Sequence, residues 1–344
     1  MIEATYVVPV RRAVPEGPGE LSDYLRRLSG EVDEVIVVDG SEPDVFEAHA
    51  ALWGDAVRHV PVDPGSVTPM GKVGGVLTGV NLARHERVVI GDDDVFYTPE
   101  SLTRVVALLE GAHVVRPQNY FDPLPWHALW DTGRTLLNRL SGGDWPGTLG
   151  VRRSALLATD GYDGGAMFEN LELVRTVRAA GGVEEAPLDL FVLRRPPDSR
   201  HFFSQRVRQA YDEFARPPRL ALYLAVLPMA LVLAAHGRWK AIAAGAGVIS
   251  LLAEWGRRRA GGREVFPAAA SLLAPAWVAE RAICSWLALG SRVFRGGITY
   301  GGSVLRLAAN SERELERRHA GAISGIILAE REATNGGRGD GDGV

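Results

Sequence analysis

Between residues 4 and 91 short β-branched runs alternate with helix-patterned stretches, and no other feature limits the possible folds as strongly. Ala4–Val10 and Val35–Asp39 read as strands, and Leu21, Tyr24, Leu25 and Leu28 between them share one face of a helix. Val57–Val62 predicts a third strand, Gly71–Ala83 a helix and Arg87–Gly91 a fourth strand. Strands joined by helical crossovers pair in parallel, so the expected class is α/β, with ligands meeting the carboxyl ends of the strands. Two of those ends are acidic: Asp39, and the triplet Asp92-Asp93-Asp94.

The later part of the chain has a different character. Pro218–Ala235 holds one charge, Arg219, and approaches the roughly 20 residues that cross a bilayer. A polar turn with Trp239 and Lys240 follows, then a second apolar run, Ala241–Ala253, closed by Glu254 and Arg257–Arg259. The pair reads as a membrane hairpin with Arg-rich cytoplasmic ends, or alternatively as a buried helical pair of a soluble domain. Phe266–Leu289 contains Pro275, Glu280 and Arg281, which predicts a kinked, re-entrant or interfacial helix. From Arg200 to Arg306 there are 15 basic and 5 acidic residues, a balance of +10 that leaves −14 for the rest of a chain with net charge −4.

That net charge argues against a general nucleic-acid binder, and a hydrophobic fraction of 46% excludes a disordered chain. The single Cys284 excludes an internal disulfide or a Cys-rich zinc site. Tyr6–Val10 is too short for the apolar core of a signal peptide and runs into Arg11-Arg12. The first two hundred residues are therefore expected in the cytoplasm, at a bacterial inner (plasma) membrane. The Gly/Asp-rich stretch after Thr334 is expected to be disordered.

Three adjacent carboxylates after an apolar strand repel one another unless a cation joins them, and a divalent metal holding a diphosphate meets that need. The alternative is a solvated turn or a helix cap, with Thr98-Pro99-Glu100 opening the next helix. The series Val37–Ser41, Gly71-Lys72-Val73-Gly74-Gly75 and Val88–Asp94, with Pro99 and Leu102, resembles the nucleotide-sugar half of family 2 glycosyltransferases. These have the GT-A fold, a Rossmann-like nucleotide-diphospho-sugar transferase domain. The resemblance implies that Asp39 contacts the base or ribose, that Lys72, Pro9 and Asp93 lie beside the donor, and that Asp94 binds Mg²⁺ or Mn²⁺ with help from Asp92. Asp92 would also position the ribose. The implied donor is a nucleoside-diphosphate-sugar, a UDP-sugar foremost.

Further on, Gly147–Gly150, Arg152-Arg153, Gly161-Tyr162-Asp163 and Phe168–Leu173 follow the family's order. The resemblance places the family's general base, an Asp, at Asn170, and an amide cannot take a proton. Glu169 is the first replacement and Glu172 the second; both could instead simply begin a helix ahead of Arg175 and Arg178. Gln205-Arg206-Val207-Arg208-Gln209 resembles the Gln-x-x-Arg-Trp motif of membrane-bound members such as ceramide glucosyltransferases and polysaccharide synthases. Arg208 would then hold the donor diphosphate, with Gln205 also beside the donor; the same stretch also suits a basic helix on anionic headgroups. Gln209 stands where the Trp is expected, so Trp126, Trp130, Trp145 or Tyr211 would supply the acceptor platform, with Trp126, Trp145 and Gly147 as the acceptor-binding candidates. His127 and His201 are reserve bases, and Arg295–Gly302 resembles a Gly-rich segment that returns towards the site in some relatives.

The expected organisation is a cytosolic GT-A domain over 1–215, membrane or interfacial helices over 216–310 and a polar tail over 311–344. The expected function is metal-dependent, inverting sugar transfer to a lipid or membrane-proximal acceptor. The rivals are a catalytically inactive nucleotide-sugar-binding or scaffold member, and a retaining transferase or nucleotidyltransferase.

Overall fold

The computed structural model describes residues 1–323. The chain begins β1 (Ile2–Val10), α1 (Glu20–Glu31), β2 (Val32–Asp39), α2 (Pro43–Trp53), β3 (Arg58–Pro61), α3 (Gly71–Leu82) and β4 (Arg87–Gly91). It continues with β5 (Val95–Phe96), α4 (Pro99–Leu108), β6 (Val114–Val115), β7 (Gln118–Phe121), α5 (Trp126–Asn138), β8 (Thr148–Arg152), α6 (Arg153–Ala158) and α7 (Glu169–Ala179). β9 (Glu184–Glu185), β10 (Phe191–Arg194) and α8 (Ser199–Tyr211) complete the α/β half.

β3, β2, β1 and β4 lie side by side in parallel, as the alternation predicts, with Val10 opposite Asp39 and Val7 opposite Ile90. The sheet then extends through β8, which is antiparallel to β4 and β6, and ends at β9. Both faces are covered, which is why the strands read as continuous apolar runs. Val7, Ile36, Val38, Val88 and Ile90 pack under α3 and α7, while Tyr6, Val8, Val35, Val37 and Val89 pack under α1 and α4. A second small sheet, β5-β10-β7, stands beside the acidic end of β4.

Four helices follow: α9 (Pro217–Ala235), α10 (Trp239–Arg258), the short α11 (Gly262–Val265) and α12 (Ala268–Arg295). Among the described residues, α9 and α12 are long and apolar enough to cross a membrane. The expected hairpin partner α10 is not one of them, since Lys240, Glu254, Arg257 and Arg258 load its ends with charge. Pro275 lies inside α12 and does not end it. Ala270, Ala274, Trp277, Arg281, Ser285 and Ala288 recur at helical spacing along α12 and are buried, so this helix docks on the α/β half through α5 and α8. The approach to α5 is close: a Cβ on Gly133 would lie 2.9 Å from the Ala274 Cα. The opposite side of the layer leaves Leu222, Met229 and Leu231 on α9, and Leu251 and Trp255 on α10, exposed.

After α12 the chain returns to the α/β half through the hairpin β11 (Ile298–Tyr300) and β12 (Ser303–Leu305), with Met167 and Phe168 N–H donating to the Leu307 and Ala308 carbonyls. The segment expected as a polar tail first forms α13 (Glu312–His319), which packs on α7 with Leu315 buried. The stretch expected to be disordered after Thr334 lies outside the described residues.

Candidate active site

Two cavities open at the carboxyl edge of the parallel strands. The first, about 500 Å³, is lined by Pro9, Lys72, Asp92, Asp93 and Glu169, with Tyr300 from the returning hairpin. The second, about 250 Å³, lies towards α5, α8 and α12 and holds Asp94, Trp145, Gly147, Asn170 and Gln205. Asp92, Glu169, Arg208, Gln209 and Asp212 line both and form their common wall.

The acidic triplet is a turn and not a helix cap. Asp92 N–H donates to the Gly147 carbonyl, and Val95 N–H donates back to the Asp92 carbonyl. The helix behind it is capped instead by Thr98 with Ser101. Each carboxylate meets a cation from elsewhere: Lys72 Nζ lies 2.6 Å from Asp92, Arg12 lies 2.5 Å from Asp93, and Arg194 Nε lies 3.0 Å from Asp94. Arg194 also reaches Asp92 at 3.4 Å. Burial raises the Asp93 and Asp94 carboxyls even with Arg12 and Arg194 opposing it. Burial works against the Lys72 charge, yet Asp92 and Glu169 hold that ammonium well above its ordinary range. Asp94 Oδ1 is shielded and has no partner among the described residues. An orphaned hard oxygen beside Asp92 suits Mg²⁺ or Mn²⁺.

The other expected site residues separate by position. Pro9 and Asp93 face the first cavity, whereas Gln205, expected with the donor, faces only the second. Asn170 uses its amide to bond the Pro146 carbonyl at 2.8 Å. Trp145 stands edge-on to Phe168 under the Arg116 guanidinium. Trp126 lines neither cavity and lies exposed against Trp130 and Phe203. His127 and His201 both line the second cavity.

Two expectations are corrected by burial. Glu172 is fully buried, and its carboxylate accepts from Asn310 N and Nδ2, both at 2.7 Å, which fastens the returning chain and leaves it facing neither cavity. The Asp39 side chain is sealed off as well. It accepts from His49 Nδ1 at 2.6 Å, His59 Nε2 at 3.1 Å and Ser41 N at 2.9 Å. Burial would raise this carboxyl, but those bonds hold it well below the usual range. The three side chains have metal-ligand proximity, yet His49 Nε2 accepts from Glu16 N–H, so its Nδ1 carries the proton and donates to Asp39. Hydrogen bonding accounts for the cluster without an ion.

Sequence reasoning missed Arg12, Arg194, Asp212 and Arg281. Arg194 ends β10 without any motif around it. Asp212 sits one turn beyond Arg208, at the end of α8. Its Oδ1 is shielded and unpartnered among the described residues, and burial pushes the carboxyl up to about 7, against the opposing charge of Arg208. A carboxyl group so perturbed on a shared cavity wall marks a candidate proton acceptor.

Residues 16–158 match the family model described as glycosyl transferase family 2. That stretch, 143 of the 344 residues, is similar to the family 2 glycosyltransferases. The chain's α/β sheet, with the acidic turn after β4 and the helices that follow, is the GT-A architecture. Solved structures similar to the chain include a mannosyltransferase from Pyrobaculum calidifontis in complex with GDP-Man and Mn²⁺, at 18% identity over 94% of this chain and 86% of that one, with a TM-score of 0.45. Another is mannosyl-3-phosphoglycerate synthase from Rubrobacter xylanophilus, at 17% identity over 63% of this chain and 74% of that one, with a TM-score of 0.43. No curated protein matches the chain.

Proposed function

We propose that this glycosyltransferase moves a sugar from a nucleoside-diphosphate donor, a UDP-sugar foremost, to a lipid or membrane-proximal acceptor with inversion at the anomeric carbon. The observation that carries the reading is the common wall: Asp92, Glu169, Arg208, Gln209 and Asp212 face both cavities at once. A donor in the first cavity and an acceptor in the second meet across that wall, from opposite sides of the bond to be broken. One displacement in that arrangement inverts the sugar.

Lys72 and Arg208 supply the fixed positive charge for the diphosphate, Arg208 braced over the Tyr300 ring. Asp92 and Asp94 would hold Mg²⁺ or Mn²⁺, which when bound neutralises charge on the departing diphosphate. Glu169 Oε1 is engaged by Lys72 at 2.6 Å, and Asn170 has no basic atom to offer. Asp212, unpartnered and facing both cavities, takes the proton from the acceptor hydroxyl. The exposed apolar residues of α9 and α10 lie against a membrane surface, while α12 stays docked on the catalytic half and brings the acceptor cavity close to that surface. The chemistry then runs on the cytoplasmic side of the bacterial plasma membrane.

A second reading, donor binding without transfer, draws on Asn170 being locked to the Pro146 carbonyl. The two separate in a transfer assay with labelled nucleotide-sugars, manganese and membrane lipid extract. Labelled lipid product that disappears with Asp94→Ala supports transfer. Nucleotide binding with no product across the donor panel contradicts it.

A further inference from the structure

Arg281 sits midway along the apolar helix α12 and is 2% exposed. Its guanidinium lies 5.1 Å from the centre of the Trp277 ring. Its Nε and Nη1 have no hydrogen-bond partner among the described residues, and it makes no ion pair there. It lines the second cavity. A buried guanidinium without a counter-charge is unfavourable, and folded chains rarely keep one unless something outside the chain completes it.

Glu213 and Glu280 are near enough to favour its charge, but neither pairs with it directly among the described residues. Asp131 is taken by Arg134 at 3.0 Å and by Arg206 at 2.8 Å, and Glu280 is bonded to Arg206 Nε at 2.9 Å. Glu213 is shared between Arg216 at 3.1 Å and Arg219 at 3.3 Å, so one carboxylate serves two guanidiniums. Arg216 Nε is also shielded and unpartnered. Arg216, Arg219, Glu213 and Arg281 line one wall of that cavity and together carry a local surplus of two positive charges, whereas the rest of its lining sets Arg134, Arg194 and Arg208 against Asp92, Asp94, Asp131, Asp144, Glu169 and Asp212.

We propose that this wall is an anion subsite and that the acceptor carries a phosphate group, bound by Arg281 with Arg216 and Arg219. A phosphate monoester brings close to two negative charges at neutral pH and several strong acceptor oxygens, which matches both the charge surplus and the unpartnered N–H groups. The assignment to the acceptor rests on the reading that the second cavity receives that substrate. Because α9 and α12 form this wall, the phosphate belongs either to a lipid headgroup or to a soluble phosphate monoester.

The test uses the full chain saturated with UDP and manganese, which fills the donor cavity. Equilibrium dialysis with radiolabelled inorganic phosphate is expected to show a saturable site, and Arg281→Gln to weaken it at least tenfold while UDP affinity stays within twofold. Arg281→Lys is expected to recover part of the loss. Unchanged phosphate affinity in Arg281→Gln overturns the proposal. Should that variant not fold, the wild-type chain decides: phosphate must raise its Tm where sodium chloride of equal ionic strength does not, and equal effects overturn the subsite.

Competition then assigns the source. Displacement of phosphate by glycerol 3-phosphate supports a soluble acceptor, displacement by phosphatidic-acid vesicles but not phosphatidylcholine vesicles supports a lipid acceptor, and displacement by neither overturns the acceptor assignment. Arg281-dependent phosphate binding in a chain that binds no nucleotide would sink the transferase reading and leave the anion site standing. Nucleotide-sugar turnover without phosphate binding would do the reverse.

Discussion

Lys72 Nζ lies 2.6 Å from Glu169 Oε1, across 97 positions of sequence, and the same nitrogen lies 2.6 Å from Asp92. One ammonium thus joins the first turn of α3 to the first turn of α7 and to the acidic turn after β4. Lys72→Met leaves the two carboxylates facing each other across the common wall. The pair is partly exposed, so the expected loss of stability is about 2 kcal/mol, below the roughly 3–5 kcal/mol of a fully buried pair. Urea unfolding checks that loss, and titration with UDP is expected to show at least tenfold weaker binding. Unchanged stability and affinity would contradict the role given to Lys72.

Asp212 makes the reaction pH-dependent with a definite sign. As a proton acceptor it works only when ionised, and burial pushes its carboxyl up to about 7. The transfer rate is therefore expected to rise with pH up to about 7 and level off above. Asp212→Asn removes that limb and lowers kcat by about 10²- to 10⁴-fold. Stability moves the other way. The folded chain holds the Asp212 proton up to about pH 7 while the unfolded chain releases it in the usual carboxylate range. The wild type therefore loses stability relative to Asp212→Asn as pH rises between those limits. A wild-type rate profile that the variant leaves unchanged would remove Asp212 from the mechanism.

Gly147, the residue before β8, lies directly against the acidic turn. A Cβ there would lie 2.5 Å from Asp92 Oδ2 and 3.0 Å from Arg194 Nη1. Gly147→Ala is expected to displace Asp92 and reduce transfer at least tenfold, with secondary structure unchanged by circular dichroism. Wild-type activity in this variant would show that the turn tolerates a shift.

The sealed Asp39 cluster predicts acid sensitivity and indifference to zinc. Its carboxyl is held below the usual range, so its stabilising contribution is present above that range and is lost as pH falls through the lowered value. Asp39→Asn weakens the bonds from His49 and His59 and is expected to cost about 2 kcal/mol at neutral pH. Thermal unfolding with and without added zinc checks both statements. A zinc-dependent rise in wild-type Tm that Asp39→Asn abolishes would replace the hydrogen-bond account with a metal site.

The parallel strands and the two acidic strand ends were legible because hydrophobic period and strand-end chemistry are local properties. β8 was not, since an antiparallel strand inserted beside β4 depends on pairing that no short window contains. The fate of Asp39 was hidden for a related reason: His49 on α2 and His59 on β3 reach it only once the register of β2 and β3 is set. Glu172 read as a catalytic substitute because its partner, Asn310, lies 138 positions away. The apolar run around Arg281 read as an interrupted membrane segment. Its charges make sense only against Arg206 and the cavity beneath α12, which are contacts between distant parts of the chain.

The most direct measurement of the central claim is a structure of the full chain with UDP and manganese. The account predicts the nucleotide in the first cavity, its diphosphate between Lys72 and Arg208 and the metal on Asp92 and Asp94, with the second cavity left open beyond Asp212. A nucleotide bound in the second cavity, or a diphosphate held without Lys72 and Arg208, would contradict it.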